Sequence, residues 1–391
     1  MKNIKYGPCG VLSDAAMNGP AAVAFEQSGF DFIIWCDQMC MSIPRSIWTE
    51  DLNPAAKLFD IDAFMDPWPL VTDAALHTRR VQLGITVCDV FRRLPANLAQ
   101  LALTLDHYSK GRFFLALGTG EMRHFKPYGI PRQKPFTQLE EAVKLTKLLM
   151  ASDGLIDYEG PVWNLRNAVM TLKPYGAKPP PILVAGSGRA HQIAGEHGDG
   201  WITMIPFASR PEQYADDVRA VKQFAQRAGR DPNTLRFHVT AFCLIAATEE
   251  EADQLTRNPI IRWDAIALVT DTKIFGDWGH PIRDDYTYAR DLISMDWSRD
   301  DALAIAAKTP PEMVRKVRFT GTPETVAMQL QPYIAAGAQW INIVNVAAFV
   351  GTGHFGEAAA AQGLIADVVE RLRKINGQPS MRDQGVEAAS A

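Results

Sequence analysis

The sequence predicts an α/β chain folded as a (β/α)8 TIM barrel with insertions. Three observations carry that expectation. Near-continuous apolar runs recur near residues 5, 31, 81, 112, 182, 201, 236 and 340, about eight in all. Runs that do not alternate with polar residues imply strands buried on both faces, hence a parallel sheet. Helical patterns separate most of them, as repeated strand–helix units require. A doubly wound sheet is the alternative, weakened because no G-x-G-x-x-G follows the first strand.

Taken in order, Lys5 to Leu12 reads as a short strand made irregular by Gly7, Pro8 and Gly10. Pro20 to Ser28 reads as a helix stopped by Gly29. Phe30 to Asp37, FDFIIWCD, is a buried strand ending in a carboxylate. Residues 39–68 form a loop excursion rich in Pro, Met and Asp, longer than most connections. Pro69 to His77 is helical, Val81 to Val87 a strand, and Pro95 to Tyr108 an amphipathic helix opened by proline. Arg112 to Glu121, RFFLALGTGE, is a strand that breaks into glycines and ends on a carboxylate. A helix over Phe136 to Ala151 and a small hairpin near 157–164 follow. Ile182 to Gly188, ILVAGSG, is a strand entering a glycine-rich turn before a helix over Arg189 to His197. Trp201 to Met204 is a strand, Pro211 to Ala228 a helix, and Leu235 to Ala247 a strand. Residues 249–310 break this rhythm: charged and tryptophan-containing, they read as a mostly helical or irregular insertion. Thr322 to Ala336, Gln339 to Val346 and Glu357 to Lys374 close the chain as helix, strand and helix. One barrel domain over 1–376 is expected, with a polar, disordered tail over 377–391.

Composition narrows the function classes. The 391 residues are 47% hydrophobic and 21% charged, with a formal net charge of -4, an ordinary globular balance. No basic run supports nucleic-acid binding. No apolar stretch approaches the roughly 18 residues of a membrane span. The first residues, MKNIKYGPCG, lack a signal peptide's apolar core, so a cytoplasmic setting is expected. Five scattered cysteines form no C-x-x-C pair, so they are expected as reduced thiols in a core. Of the eight histidines only His124 and His238 lie near strand ends, which argues against metal catalysis.

A barrel brings its strand ends to one rim, where chemistry sits. That makes neighbours of Asp37 and Gln38, Thr86 to Asp89, Gly118 to Glu121, and Ala185 to Gly188. Asp37 and Glu121 are candidate acids or bases; the plainer reading pairs them with Arg92, Arg93 or Arg123. Gly186-Ser187-Gly188 ahead of a helix suits a phosphate, or is an ordinary turn. A lone His124 after a loop reads more simply as a surface residue. Trp35, Met39, Met41, Trp48, Trp68 and Trp201 supply either an apolar pocket or core.

The residues also carry a resemblance. SGFDFIIWCDQ (28–38), LGITVCD (83–89), RRLPANLAQLALTLDHYSKGRFFLALGTGE (92–121), ILVAGSGRAHQIAGEHGDGWI (182–202) and TGTPETVAMQL (320–330) resemble, in order, the bacterial luciferase-like superfamily. Its members are (β/α)8 barrels using FMN or the deazaflavin coenzyme F420. IPRSIWT (43–49), DVFRRLPA (89–96) and KPYGIPRQKP (126–135) are similar to the deazaflavin branch near the phthiodiolone ketoreductases. The resemblance implies an F420-dependent oxidoreductase moving a hydride between the deazaflavin and a carbonyl or secondary alcohol of an apolar small-molecule substrate, in a homodimer. The alternatives are an FMN monooxygenase fed reduced flavin by a partner, and a non-catalytic cofactor- or lipid-binding barrel. It implies a non-proline cis peptide at Thr86-Val87 behind the ring, a ring site at Gly118, Thr119, Gly120 and Glu121, and a phosphate site at Ala185, Gly186, Ser187 and Gly188. Asp37 then lies beside the reacting carbon. At the next position the branch usually has histidine, whereas this chain has Gln38, which cannot titrate. Asp37, Gln38 and Glu121 are therefore the expected catalytic residues.

Overall fold

The computed structural model describes residues 4–269, 272–350 and 355–384. Strand β1 (Lys5–Gly7) leads into helix α1 (Ala15–Gln27), then β2 (Phe32–Trp35). Helix α1 begins five residues before Pro20, because Asp14 caps it by accepting from the N–H groups of Ala16 and Met17. The pattern continues with α2 (Pro67–His77), β3 (Gln82–Asp89), α3 (Pro95–Ser109), β4 (Phe113–Gly118) and α4 (Pro135–Ala151). A hairpin of β5 (Ile156–Glu159) and β6 (Asn164–Ala168) stands apart as its own two-stranded sheet. The barrel resumes with β7 (Ile182–Ala185), α5 (Arg189–Glu196), β8 (Gly200–Ile205), α6 (Pro211–Arg227) and β9 (Arg236–Ile245).

The insertion is helical: α7 (Glu249–Leu255), α8 (Pro259–Ala267), α9 (Tyr288–Asp291), α10 (Arg299–Ala307) and α11 (Pro311–Val317). It delivers β10 (Phe319–Gly321), a three-residue strand absent from the sequence reading, which pairs with the C-terminal end of β9. Helix α12 (Pro323–Ala335), β11 (Trp340–Asn345) and α13 (Phe355–Ile375) complete the chain. No helix among the described residues is long and apolar enough to cross a membrane.

The eight strands predicted from the sequence run parallel in the order β1-β11-β9-β8-β7-β4-β3-β2. The seam between β2 and β1 closes through a parallel bridge from Cys9 to Ile34 and a 2.8 Å bond from the Gly10 N–H to the Ile34 carbonyl. Alternate residues of each strand then separate into two apolar sets. Ile33, Leu83, Ile85, Leu115, Val184 and Ile341 pack outward under the helices. Phe32, Ile34, Phe114, Ala116, Leu183, Ile202 and Trp340 fill the inside of the barrel. At its base the His238 imidazole stacks on Trp340 with ring centres 4.7 Å apart.

A second apolar cluster joins the loop excursion to the insertion through Ile43, Ile47, Trp48, Ile261, Trp263 and Val314. Trp263 donates from Nε1 to the Ser42 carbonyl at 2.9 Å. Arg318 and Asp264 form a fully buried pair at 2.7 Å, with the guanidinium over the rings of Phe207 and Phe242. Such a pair locks the insertion onto β9, because losing either partner strands a buried charge.

The expected disordered tail from 377 is instead folded as far as Gln384. Met381 is buried, its N–H donates to Glu370 at 2.8 Å, and Arg373 reaches both Asp31 and Gln384. A buried arginine with its carboxylate partner fixes this segment despite its polar composition. Residues 385–391 lie outside the described residues.

Candidate active site

Continuing the inward parity of the strands places Cys9, Cys36, Gly118, Ala185, Met204 and Asn342 at the inner C-terminal ends. Cys9 donates from Sγ to Asn342 Oδ1 at 3.7 Å, and Asn342 donates in turn to the Gly7 carbonyl at 3.0 Å. Apart from Met204 these side chains are smaller than the rings below them, and together they form the floor of the barrel mouth.

One side of the floor comes from β3. The Thr86–Val87 peptide bond is cis, as the resemblance implies. The β3–β4 register shifts between Ile85 and Cys88, and Val87 stands 36% exposed in a strand that is otherwise almost entirely buried. Val87 faces Gly118: a Cβ there would lie 2.8 Å from Val87 Cγ1. Gly120 turns with φ +65, and a side chain there would collide with Phe125. The glycines of this stretch are thus required by space and by backbone angle.

Asp37 is buried at the end of β2, between two arginines. Arg92 Nη2 lies 3.2 Å from Oδ1 and also donates to the Asp37 carbonyl at 2.8 Å. Arg93 Nε lies 3.5 Å from Oδ2, which accepts no hydrogen bond among the described residues. Asp89 holds this clamp: its Oδ1 accepts from the N–H groups of Phe91 and Arg92, and its Oδ2 pairs with Arg92 Nε. The run Asp89–Arg93 therefore serves Asp37, a role that sequence adjacency alone does not reveal. Gln38 follows, half-buried, and Met39 stands 37% exposed beside it.

Glu121 leaves the glycine turn half-buried, and its Oε2 accepts from Arg123 Nε at 2.6 Å. Arg123 is buried and donates onward to the Cys40 carbonyl at 2.6 Å. Arg132 lies over the same turn, donating to the Thr119 carbonyl at 2.9 Å. His124 is buried rather than a surface residue. Its Nδ1 accepts the Met39 N–H at 3.3 Å. Burial, with Arg123 and Arg92 nearby, pulls its pKa down to about 2.

Across the floor, Gly186 and Gly188 both have positive φ, 117 and 60. The Gly186 carbonyl is fixed by Trp201 Nε1 at 2.6 Å. A Cβ on Gly188 would meet nothing within 4 Å, and the Ser187 and Gly188 N–H groups make no hydrogen bond among the described residues. This open turn at the start of α5, which has no side-chain cap, is suited to an anion. Of the aromatic pocket candidates, Trp35 is core and donates to Asn18, Trp68 packs on Phe113, and Trp201 stacks on Tyr214 outside the barrel.

Comparison with known proteins follows this geometry. The family model for luciferase-like monooxygenases matches residues 14–339. A phthiodiolone/phenolphthiodiolone dimycocerosates ketoreductase of Mycobacterium tuberculosis is 32% identical over 314 residues, 79% of this chain and 82% of the relative. An F420-dependent hydroxymycolic acid dehydrogenase of the same species is 31% identical over 230 residues, 57% of this chain and 58% of the relative. The solved structure of an F420-dependent secondary alcohol dehydrogenase with an F420–acetone adduct superposes with a TM-score of 0.67 at 19% identity, covering 92% of this chain and 99% of the other. At that identity the likeness establishes the fold.

Proposed function

The chain belongs to the luciferase-like monooxygenase family, and from that premise we propose that it is an F420-dependent oxidoreductase acting on a carbonyl or secondary alcohol. The observation that carries this reading is the floor made by Val87 and Gly118. An exposed branched side chain facing a glycine turn is a platform for a flat ring, not a way to finish a core. The residues present fit the coenzyme. Thr86, Val87, Gly118, Thr119, Gly120 and Glu121 would hold the ring, and Ala185, Gly186, Ser187 and Gly188 the tail phosphate. Asp37 offers a carboxylate oxygen that accepts no hydrogen bond among the described residues, the group being steadied by the charges of Arg92 and Arg93. When bound, the deazaflavin supplies or takes the hydride. The protein orients it, excludes water with the buried loop after β2, and presents Gln38 as a hydrogen-bonding group toward the substrate.

The substrate is taken to be apolar. The named relatives act on dimycocerosates and hydroxymycolic acid, and Met39 is exposed beside Gln38. A single barrel domain, active as a cytoplasmic homodimer, completes the proposal; light scattering checks the dimer. The decisive experiment is a fluorescence titration of the full chain with F420 and, separately, FMN. F420 is expected to bind at least ten times more tightly, and the reverse order would overturn the reading. Turnover of a medium-chain methyl ketone with reduced F420 checks the reaction and removes the non-catalytic alternative.

A further inference from the structure

Three groups near the ring site are poorly placed to give a proton. The Gln38 amide has none to release. Glu121 is engaged by the buried Arg123. His124 accepts the Met39 N–H on Nδ1 and is held uncharged by burial and by two neighbouring arginines.

The insertion brings another group to the same place. Helix α9 packs against the turn Met122–His124, which directly follows Glu121. The short helix is tied by the Thr287 N–H donating to Asp291 Oδ2 at 2.8 Å and by Arg283 pairing with Asp291 Oδ1 at 2.6 Å. Its first residue, Tyr288, packs its ring on the second apolar cluster, and Glu121, Arg123 and Arg132 lie near enough to act on its hydroxyl through their charges. Arg132 is the residue fixed above the glycine turn at the Thr119 carbonyl. The Tyr288 hydroxyl makes no hydrogen bond among the described residues. Tyr286, two positions earlier, gives its hydroxyl to the Ala267 carbonyl at 2.7 Å. One phenol is thus used by the fold, while the other is left beside the site's charges.

Resting on the reading above, we propose that Tyr288 is a catalytic residue, giving its hydroxyl proton to the oxygen of the carbonyl substrate. The step balances. With the reduced deazaflavin bound, its hydride would form the new C–H bond while the carbonyl π pair moves to oxygen. The phenol proton would form the O–H bond, and the proton that the coenzyme loses along with its hydride would return through water to the tyrosinate. The coenzyme ends oxidised and the substrate reduced. Burial and the Glu121 charge push the phenol above its ordinary value, so it stays protonated at neutral pH while remaining more acidic than the alcohol formed. Arg123 and Arg132 attract the tyrosinate that forms.

The test compares the wild-type full chain with Tyr288→Phe, which keeps the ring and its packing. With reduced F420 and a medium-chain methyl ketone, kcat should fall about 10²- to 10³-fold while KM stays within about threefold. F420 affinity by fluorescence and the melting temperature should be unchanged. A second readout needs no coenzyme. The tyrosinate absorbance difference between wild type and Tyr288→Phe should show one tyrosine titrating above the ordinary value of about 10, and Glu121→Gln should lower that midpoint. A Tyr288→Phe enzyme with kcat within about threefold of wild type would overturn the proposal and leave the coenzyme reading standing. So would a Tyr288 that titrates at the ordinary value and ignores Glu121→Gln. A wild-type chain that neither binds F420 nor reduces the ketone would sink both.

Discussion

The two ends of the barrel are built from the same strands and are opposite in kind. At the base, the inward residues are rings: Phe32, Phe114, His238 and Trp340 lie with centres 4.7–6.4 Å apart. At the mouth, two to four residues further along, they are Cys9, Cys36, Gly118, Ala185 and Asn342, with Met204 the one long side chain. The base shows what a closed parallel barrel needs in order to be stable, a filled interior with no void. The mouth leaves that filling out. Stability at one end and an opening at the other thus come from one alternation, with side-chain size changed along each strand.

The comparison is broken most forcefully at the base. Trp340 is nearly buried, stacked on His238 and flanked by the cations of Arg236 and Lys5. Trp340→Ala should cost about 3–5 kcal/mol of stability, read by urea unfolding, while the folded fraction keeps F420 affinity within about threefold. Equal loss of affinity per folded molecule would mean that the two ends are not separable. The mouth should respond the other way. Gly118→Val pushes branched carbon into Val87 and over the floor. F420 affinity should drop at least about 100-fold, close to 2.7 kcal/mol, with the melting temperature lowered only modestly. Unchanged affinity would displace the ring from this floor.

Each end also contains a buried, uncharged imidazole. His124 is pulled down to about 2, and His238 well below its ordinary value, mainly by burial. Below about pH 6.5 the unfolded chain binds a proton that the folded chain refuses. Stability is therefore full above that pH and falls as pH drops, by about 1.4 kcal/mol per unit for each such histidine. For His124 the decline continues until the folded side chain itself titrates. His238→Gln and His124→Gln should each flatten the acid limb by one proton, read as the pH dependence of the urea midpoint. An unchanged slope would mean that the imidazole is already charged in the folded protein.

The barrel was legible because its strands are continuously apolar and their ends change character abruptly. Phe30 to Asp37 and Arg112 to Glu121 announce both strand and rim. Strand β10 was not, since three residues carry no period and exist only through pairing with Cys243 to Ile245. The start of α1 was misplaced because Pro20 resembles a first-turn proline, whereas Asp14 does the capping. At the site, the glycine turns and Asp37 could be found from the sequence, and the plainer pairings of Asp37 and Glu121 with arginine also occur. Which arginine serves which acid depends on the β3–α3 connection folding back over β2. Tyr288 had no local signal: its meaning comes from α9 landing beside Glu121, more than 160 positions away in sequence. Spacing alone does not tell which face of a strand a thiol occupies, so the sequence predicts a core for all five cysteines while the structure leaves Cys9 and Cys36 half-buried.

Those thiols give the gentlest test of the contrast between the ends. Cys36 follows Ile34 on the inward parity of β2, across the seam from Cys9, and both are half-buried, whereas Cys40, Cys88 and Cys243 are buried. The neighbouring Cys9 thiol draws the Cys36 thiol below its ordinary value, while burial pushes those of Cys88 and Cys243 up. Thiolate character and access together set alkylation rate. Iodoacetamide should therefore modify Cys36 first in the coenzyme-free protein, with mass spectrometry locating the adduct. If the ring covers the floor as proposed, saturating F420 should slow that reaction about tenfold, a change of about 1.4 kcal/mol in effective accessibility. On the proposed reading the thiol would lie under the ring and not at the sealed base, so protection at Cys36 without any at an exposed control cysteine introduced on α6 would locate the coenzyme at the open end. Equal rates with and without F420 would put the coenzyme elsewhere, whatever its affinity.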